Sequence, residues 1–216
     1  MHVVVDHFDL YRHGFFTTLS LCFWAGIGAV VLGTLLAAFR VSPVPPLRGT
    51  GTAYVTIVRN CPLTVVLFFV AFGLPEIGVR QSYDRFAVAG LIVYTAAFVC
   101  EAVRSGINAV PTGQAEAARS VGLTFTQSFR HVILPQALRS VVPPLGSVVI
   151  AMVKNSAIVG AFGVGGDLYS VGASLTGAGG LSALPVLTGV VLGYLAITIP
   201  AGLSLGVLER RVAVAR

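Results

Sequence analysis

Apolar residues are concentrated in five segments of the chain, each long enough to cross a membrane as a helix. These segments cover residues 13–39, 52–74, 86–108, 136–160 and 181–208. A helix needs about 20 mostly apolar residues to span the hydrocarbon core of a bilayer. The pattern therefore predicts an all-α integral membrane protein with five transmembrane helices.

Two of these segments contain residues that disfavour a regular helix. Arg59-Asn60-Cys61-Pro62 interrupts the second segment, and Pro143-Pro144 lies in the middle of the fourth. Proline removes a backbone donor and its ring disturbs the preceding turn. We expect broken helices at both places, which a membrane protein tolerates only beside water or other protein. The glycine-rich stretch 161–180 is expected to be a loop.

A polar, alanine-rich stretch, residues 110–135, separates the third and fourth apolar segments. Thr112 is placed to cap a helix that ends at Gly122, since glycine suits the left-handed position after a helix. Thr124 and Gln127 then have the spacing of a capping box at the start of a second short helix. Pro135 is expected to mark the boundary with the fourth span. The sequence predicts a stiff helix-turn-helix outside the bilayer rather than a plain connector.

Composition agrees with a protein that lies almost wholly in or beside lipid. Hydrophobic residues make up 56% of the 216 positions and charged residues 10%, and mean hydropathy is +0.89. Soluble domains carry about 25% charged residues. We expect one membrane domain, residues 1–216. The three cysteines are scattered without CxxC or Cys/His spacing, so no metal site is expected.

The cations are unevenly distributed between the two sides of the predicted membrane. One side has Arg40, Arg48, Arg104, Arg119, Arg130, Arg139, Arg210, Arg211 and Arg216, whereas the other has Arg12, Arg80 and Arg85. Because cytoplasmic loops are enriched in Lys and Arg, the N-terminus is predicted outside and the C-terminus in the cytoplasm. The net charge of +6 is thus a topology signal, and no nucleic-acid partner is expected.

The polar stretch resembles the EAA loop of ABC-importer permeases. Its residues are Glu116-Ala117-Ala118, then Gly122, then Val132-x-Leu134-Pro135, with Val132 where the family usually has Ile. Further motifs resemble the polar amino acid permeases, most closely actinobacterial glutamate-type permeases. They are Val58-Arg59-Asn60-Cys61-Pro62, Glu101-Ala-Val-Arg104-Ser-Gly106, Pro111-x-Gly113-Gln114 and Lys154-Asn155-Ser156. Asn60-Cys61 departs from the Gly-Thr usual in that family.

This resemblance implies a permease subunit of an ATP-driven amino acid importer, for glutamate or glutamine, in a bacterial plasma membrane. It implies a second permease subunit, either another copy of this chain or a sister chain, beside membrane lipid. It also implies two cytoplasmic ATPase subunits and an extracytoplasmic amino-acid-binding protein as partners. ATP and Mg²⁺ would belong to the ATPase, so this chain would have no cofactor and no catalytic residue. Residues 110–135, called the coupling segment below, would transmit the ATPase motion to the spans. The residues implied in that contact are Gln114, Glu116, Ala117, Ala118, Arg119, Gly122, Leu134 and Pro135.

Ionisable groups at membrane depth are candidates for the substrate path. Arg59 and Glu101 either pair with each other or face the path. Lys154 either reaches headgroups or attracts a substrate carboxylate, with Asn155 and Ser156 offering hydrogen bonds. The candidate path residues are Arg59, Asn60, Pro62, Glu101, Lys154, Asn155 and Ser156.

The alternative is an ion-coupled secondary transporter or channel without an ATPase partner, which the coupling segment and the absence of a visible sequence repeat disfavour. An intramembrane enzyme is disfavoured because the sequence has no HExxH motif and no pair of carboxylates within the apolar segments.

Overall fold

The computed structural model describes residues 2–162 and 166–212, and within these ranges the chain consists of helices and connecting turns. The eleven α-helices are α1 His2–Asp6, α2 Phe8–Val41, α3 Pro45–Asn60, α4 Leu63–Phe68, α5 Leu74–Glu76, α6 Tyr83–Asn108, α7 Thr112–Ser120, α8 Phe125–Ser128, α9 Leu134–Gly160, α10 Leu168–Thr176 and α11 Ala183–Val212. Two π-helical turns, Phe69–Gly73 and Phe129–Ile133, join α4 to α5 and α8 to α9.

Four of the predicted spans are long, apolar helices, and the other is a bent pair. The long helices are Phe8–Val41, Tyr83–Asn108, Phe125–Gly160 and Ala183–Arg211. The segment predicted as the second span comprises Pro45–Asn60 and Leu63–Glu76, which meet at an angle of 107°. Cys61 is extended (φ −96°, ψ 135°) because a residue that precedes proline is driven away from the helical region. The predicted break at Pro62 is confirmed.

The predicted breaks at the other prolines are wrong. Helix α9 runs without interruption through Pro143 and Pro144, as membrane helices allow when neighbouring groups accommodate the freed carbonyls. Nor does Pro135 end a helix, because α8, the π turn and α9 form one continuous rod of 36 residues, Phe125–Gly160.

Both π turns precede a Leu-Pro pair. Leu74 N–H donates to Phe69 O and Leu134 N–H to Phe129 O, five residues back in each case. A proline ring presses on the carbonyl four residues earlier in a regular α-helix. The wider π turn gives the rings of Pro75 and Pro135 the room that they need.

The stretch 161–180 is not a loop throughout, as the sequence suggested. It contains α10, which begins after Asp167, whose carboxylate accepts the N–H of Tyr169 at 3.0 Å. Asp167 is buried at 1% exposure. Thr18 of α2 accepts the N–H of Leu168 at 3.1 Å, so this end of α10 is fixed to α2. Residues 163–165 of the predicted loop lie outside the described part of the chain.

Helix α6 lies at the centre of the bundle. In its most apolar stretch 56% of the residues are buried, against 39% for α2, 22% for Phe125–Gly160 and 17% for α11. Small residues bring α2 and α6 together: a methyl group on Gly33 would lie 2.8 Å from Ala96 O. Such close backbone approach is the usual basis of helix packing in membranes. α9 and α11 therefore leave broad faces for lipid or another subunit.

Candidate functional site

The first helix of the coupling segment, α7, is stopped by a glycine cap. Gly122 has φ +84°. The N–H of Gly122 donates to Arg119 O at 2.9 Å and the N–H of Leu123 to Ala118 O at 3.1 Å. These two bonds form a Schellman motif, and the prediction for Gly122 is confirmed. The predicted cap at Thr112 is wrong, since Pro111 occupies the N-cap position and Thr112 is already the first helical residue.

The second helix begins with the predicted capping box. Gln127 N–H donates to Thr124 Oγ1 at 3.3 Å, and Thr124 N–H donates to Gln127 Oε1 at 2.9 Å. Both short helices therefore have fixed ends. The coupling segment is held as a rigid elbow by local hydrogen bonds.

One buried alanine and one side-chain bond place α7 against the bundle. Ala118 is 5% exposed, and Gln136 of α9 donates to Gln114 Oε1 at 3.4 Å. Glu116, Ala117 and Arg119 are exposed. Glu116 and Arg119 form no ion pair with each other among the described residues, which leaves both free for another surface.

The coupling segment also exposes an apolar patch that the sequence reasoning missed. Val121 is 76% exposed, Phe125 83% and Phe129 43%. The rings of Phe125 and Phe129 are stacked, with centroids 6.3 Å apart and planes 14° apart. The signal in the sequence was the pair of aromatic residues four apart, directly after the capping threonine. Leu134 and Pro135, predicted as coupling residues, are exposed further along the same rod.

Glu101, near the C-terminal end of α6, is the centre of an arginine cluster. Arg40 of α2 donates to its Oε1, and Arg104 donates to its Oε2 through Nε at 3.1 Å and Nη2 at 2.8 Å. Arg59 approaches Oε1 at 3.5 Å, so the pairing that the sequence left open exists. The part played by Arg40 was not predicted. Three guanidinium groups surround one carboxylate, which leaves excess positive charge.

A cavity of about 200 Å³ lies between α6 and α9, beside this cluster. Its lining comprises Tyr94, Thr95, Phe98, Val148, Ala151, Met152 and Asn155. Thr95 is 4% exposed, and its hydroxyl finds no hydrogen-bond partner in the part of the chain described. The Arg59 guanidinium carbon lies 5.5 Å from the centroid of the Phe98 ring, in a cation–π arrangement. The cavity therefore has a largely apolar wall with the amide of Asn155. The buried hydroxyl of Thr95, which has no described partner, and the cation Arg59 lie close to it.

The other predicted path residues are dispersed. Lys154 is exposed on α9 and forms no ion pair with a described residue. Ser156 is 1% exposed and donates to Val153 O at 2.7 Å, so its side chain lies in the packed core. Asn60 is exposed, with its amide bonded to Thr56 O at 2.8 Å. Pro62 forms the bend between α3 and α4.

This architecture matches a known family of transport proteins. Residues 29–214 match the family model described as "Binding-protein-dependent transport system inner membrane component". The chain belongs to this family. The permease is therefore a multi-pass membrane protein that works with a binding protein and an ATPase, and the ATPase activity resides in another subunit. The alternative of a secondary transporter or channel is not supported.

Curated relatives of the permease are similar over nearly their whole length. A probable glutamine ABC transporter permease protein, GlnM of Bacillus subtilis, is 41% identical over 209 residues, 97% of this chain and 96% of the relative. The glutamate transport system permease protein GluC of Corynebacterium glutamicum is 42% identical over 212 residues, 93% of this chain and 92% of the relative. The resemblance inferred from the motifs is confirmed.

Solved structures with the same fold are also ABC transporters. An amino acid ABC transporter crystallised with histidines superposes with a TM-score of 0.90 at 32% identity, covering 97% of both chains. An inward-facing form of the MetNI methionine ABC transporter gives a TM-score of 0.78 at 28% identity, covering 97% of this chain and 99% of the other. The fold of this chain, with four long apolar helices and one bent pair, is therefore similar to that of these transporters.

Proposed function

We propose that this permease forms half of the pathway of an ATP-driven importer for glutamate or glutamine, and that the whole chain is one transmembrane domain. The similarity to GlnM and GluC over more than nine-tenths of this chain carries the choice of substrate. A second permease subunit completes the pathway, and two ATPases drive it. The arginine-rich ends of the spans face the cytoplasm, so the N-terminus lies outside.

The cavity between α6 and α9 is the proposed substrate site. Its volume of about 200 Å³ is below that of drug-sized sites and suits one amino acid. Asn155 lies on its wall, where its amide can bond a polar side chain, and the hydroxyl of Thr95, which has no partner among the described residues, is buried in the same wall. Arg59, stacked on the cavity residue Phe98, and Lys154, next to Asn155 in the chain, supply positive charge for carboxylates. Glu101 holds Arg59 loosely, at 3.5 Å, so a substrate carboxylate can compete for it.

The coupling segment is the proposed contact with the ATPase. The exposed patch of Val121, Phe125 and Phe129 offers apolar area, and the exposed Glu116 and Arg119 flank it with charge. Exposed apolar patches of this kind mark interaction surfaces. The Schellman motif at Gly122 and the capping box keep the elbow rigid, so displacement of the patch moves the adjoining rod.

Uptake of labelled glutamate and glutamine by proteoliposomes tests the substrate proposal. The vesicles contain this chain, the second permease subunit (a second copy or a sister chain), the ATPase and the binding protein, with or without internal ATP, and arginine and histidine serve as competitors. We expect ATP-dependent glutamate or glutamine uptake that Lys154→Gln lowers about tenfold, the factor of one lost charge-assisted contact. ATP-dependent uptake of arginine or histidine alone would contradict the proposed substrate but would still agree with an ATP-driven importer.

A variant of the apolar patch tests the coupling proposal separately. Phe125→Ser is expected to release the ATPase in a pull-down and to abolish uptake, because it removes a highly exposed ring. Thr126→Ser at the next, also exposed, position is the control. Retention of the ATPase by Phe125→Ser would place the contact elsewhere.

A further inference from the structure

A groove between α2 and α6 carries polar groups that the proposed transport path does not use. Its volume is about 770 Å³. The side of α2 contributes His13, Thr17, Ser20, Leu21 and Trp24, and the side of α6 contributes Asp84, Arg85, Val88, Ala89 and Ile92. Both helices start at this end of the bundle, so Asp84 and Arg85 from the first turn of α6 meet His13 from the second turn of α2 at the mouth of the groove.

The lining changes from charged to apolar along the groove. His13, Asp84 and Arg85 lie at the mouth, the hydroxyls of Thr17 and Ser20 follow, and Trp24 and Ile92 lie deeper. From His13 to Trp24 the helix rises about 16 Å, roughly half the thickness of a bilayer core. The groove is closed beyond Trp24, where Ile92 packs on Gly28. This gradient is that of a phospholipid, from headgroup through glycerol to acyl chain.

The groove opens beside a face of α2 that is suited to lipid. Phe16, Phe23 and Val31 are 62%, 60% and 65% exposed, and Trp24 itself is 59% exposed. The rings of Phe23 and Trp24 pack edge to face, with centroids 5.3 Å apart. A molecule that enters the groove along this apolar face comes from the bilayer.

We propose that this groove binds one phospholipid whose headgroup has both a phosphate and a primary ammonium, as in phosphatidylethanolamine. Arg85 donates to the phosphate, since guanidinium groups bind phosphate oxygens with good geometry. One of its nitrogens, Nη1, is held by Gln81 Oε1 at 2.6 Å, which orients the group. Asp84, the adjacent residue, accepts from the ammonium.

The choice of headgroup follows from these two charges together. Arg85 alone would favour any lipid with a phosphate, including anionic ones. Asp84 beside it repels a headgroup of net negative charge and accepts hydrogen bonds from a primary ammonium, whereas choline has no N–H to donate. The hydroxyls of Thr17 and Ser20 can donate to the glycerol esters, and Trp24 packs along the acyl chain. This inference does not depend on which amino acid is transported.

The tryptophan fluorescence of the chain provides the test. The chain has one tryptophan, Trp24, and it lines the groove. Bromine on an acyl chain quenches a tryptophan that it touches. The chain is reconstituted in phosphatidylcholine vesicles with increasing fractions of acyl-brominated phosphatidylethanolamine, phosphatidylglycerol or phosphatidylcholine. We expect half-maximal quenching by brominated phosphatidylethanolamine at about a fivefold lower fraction than by the other two.

Variants at the mouth separate specific binding from general lipid contact. Asp84→Asn should remove the advantage of phosphatidylethanolamine over phosphatidylglycerol, and Arg85→Gln should weaken quenching by both. Asp9→Asn and Arg80→Gln change the same charges outside the groove lining and should leave the curves unaltered. Ser20→Phe fills the groove at an exposed position and should abolish the preference without lowering the melting temperature.

Three results would overturn the proposal. Equal quenching by the three lipids means that Trp24 meets ordinary surrounding lipid only. Loss of the preference in Asp9→Asn as well as in Asp84→Asn means that overall surface charge is responsible. Emission that no brominated lipid alters means that a protein surface covers the groove.

Discussion

Gly106 of α6 lies directly against the backbone of Val141 in α9, and this contact closes the bundle at the base of the coupling segment. A methyl group on Gly106 would lie 3.0 Å from both the Cα and the N of Val141. Because these are backbone atoms, they cannot move away as the end of a flexible side chain can. The two helices between which the coupling segment runs are therefore held together where that segment begins and ends.

Replacement of Gly106 should separate these helices. Gly106→Leu is expected to destabilise the chain by about 1–3 kcal/mol, the usual cost of overpacking. The measurement is thermal unfolding of the purified chain in detergent. Gly49→Leu is the matched control, because nothing lies within 4 Å of a methyl group on Gly49. Equal melting temperatures for the two variants would contradict the contact.

Removal of the carboxylate at the centre of the arginine cluster should cost more than removal of its outermost arginine. Glu101→Gln leaves Arg40, which is 16% exposed, without its partner, at a cost of about 1–3 kcal/mol. Arg59 is 44% exposed and 3.5 Å away, so Arg59→Gln should cost less than about 1 kcal/mol.

Denaturant unfolding of both variants measures this difference, with the exposed Glu76→Gln as control. A larger loss for Arg59→Gln than for Glu101→Gln would show that the cluster is arranged differently.

Replacement of Gly122, which caps α7, by any other residue should disturb the cap. Gly122 has φ +84°, which costs a non-glycine residue about 1–2 kcal/mol. Gly122→Ala is expected to lower ATP-dependent uptake while substrate binding persists, and Gly122→Asn should retain more activity because Asn tolerates this region. Gly113→Ala, inside α7 with open space around it, is the control. Full uptake by Gly122→Ala would show that the elbow need not be rigid.

Replacement of Thr95 by valine should change stability and substrate affinity in opposite directions. Thr95→Val removes a buried group that has no partner among the described residues, so the melting temperature should stay the same or rise. If the substrate uses this hydroxyl, KM for uptake should increase about fivefold to tenfold. Thr198→Val, whose hydroxyl bonds Tyr194 O on α11, is the control. An unchanged KM would remove Thr95 from the substrate site.

The features that the sequence predicts correctly depend on residues that are close together in the chain. The apolar segments, the bend at Pro62, the glycine cap and the Thr124–Gln127 box need only local patterns, and all are present. The contact of Arg40 with Glu101 joins residues 61 apart in the chain and has no local signal.

The errors have physical causes as well. Helix α10 was hidden because glycine dominates its surroundings, although Asp167 is a good N-cap. The sequence predicts a boundary at Pro135 because a π turn, which makes room for the proline ring, has no simple sequence pattern. The sequence does not tell which face of α9 is packed, so it gives no sign that the side chain of Ser156 is buried.

Under the proposed coupling to an ATPase, the continuous rod Phe125–Gly160 acts as a lever. At 1.5 Å per residue its 36 residues extend about 54 Å, well beyond a hydrocarbon core of about 30 Å. Part of it must therefore project into water or tilt strongly, and the projecting arm carries the stacked Phe125 and Phe129. A sideways force on that arm would therefore tilt the part of the rod that lies in the membrane. In this arrangement, a force applied at Phe125 passes through the π turn at Phe129–Ile133 before it reaches Lys154.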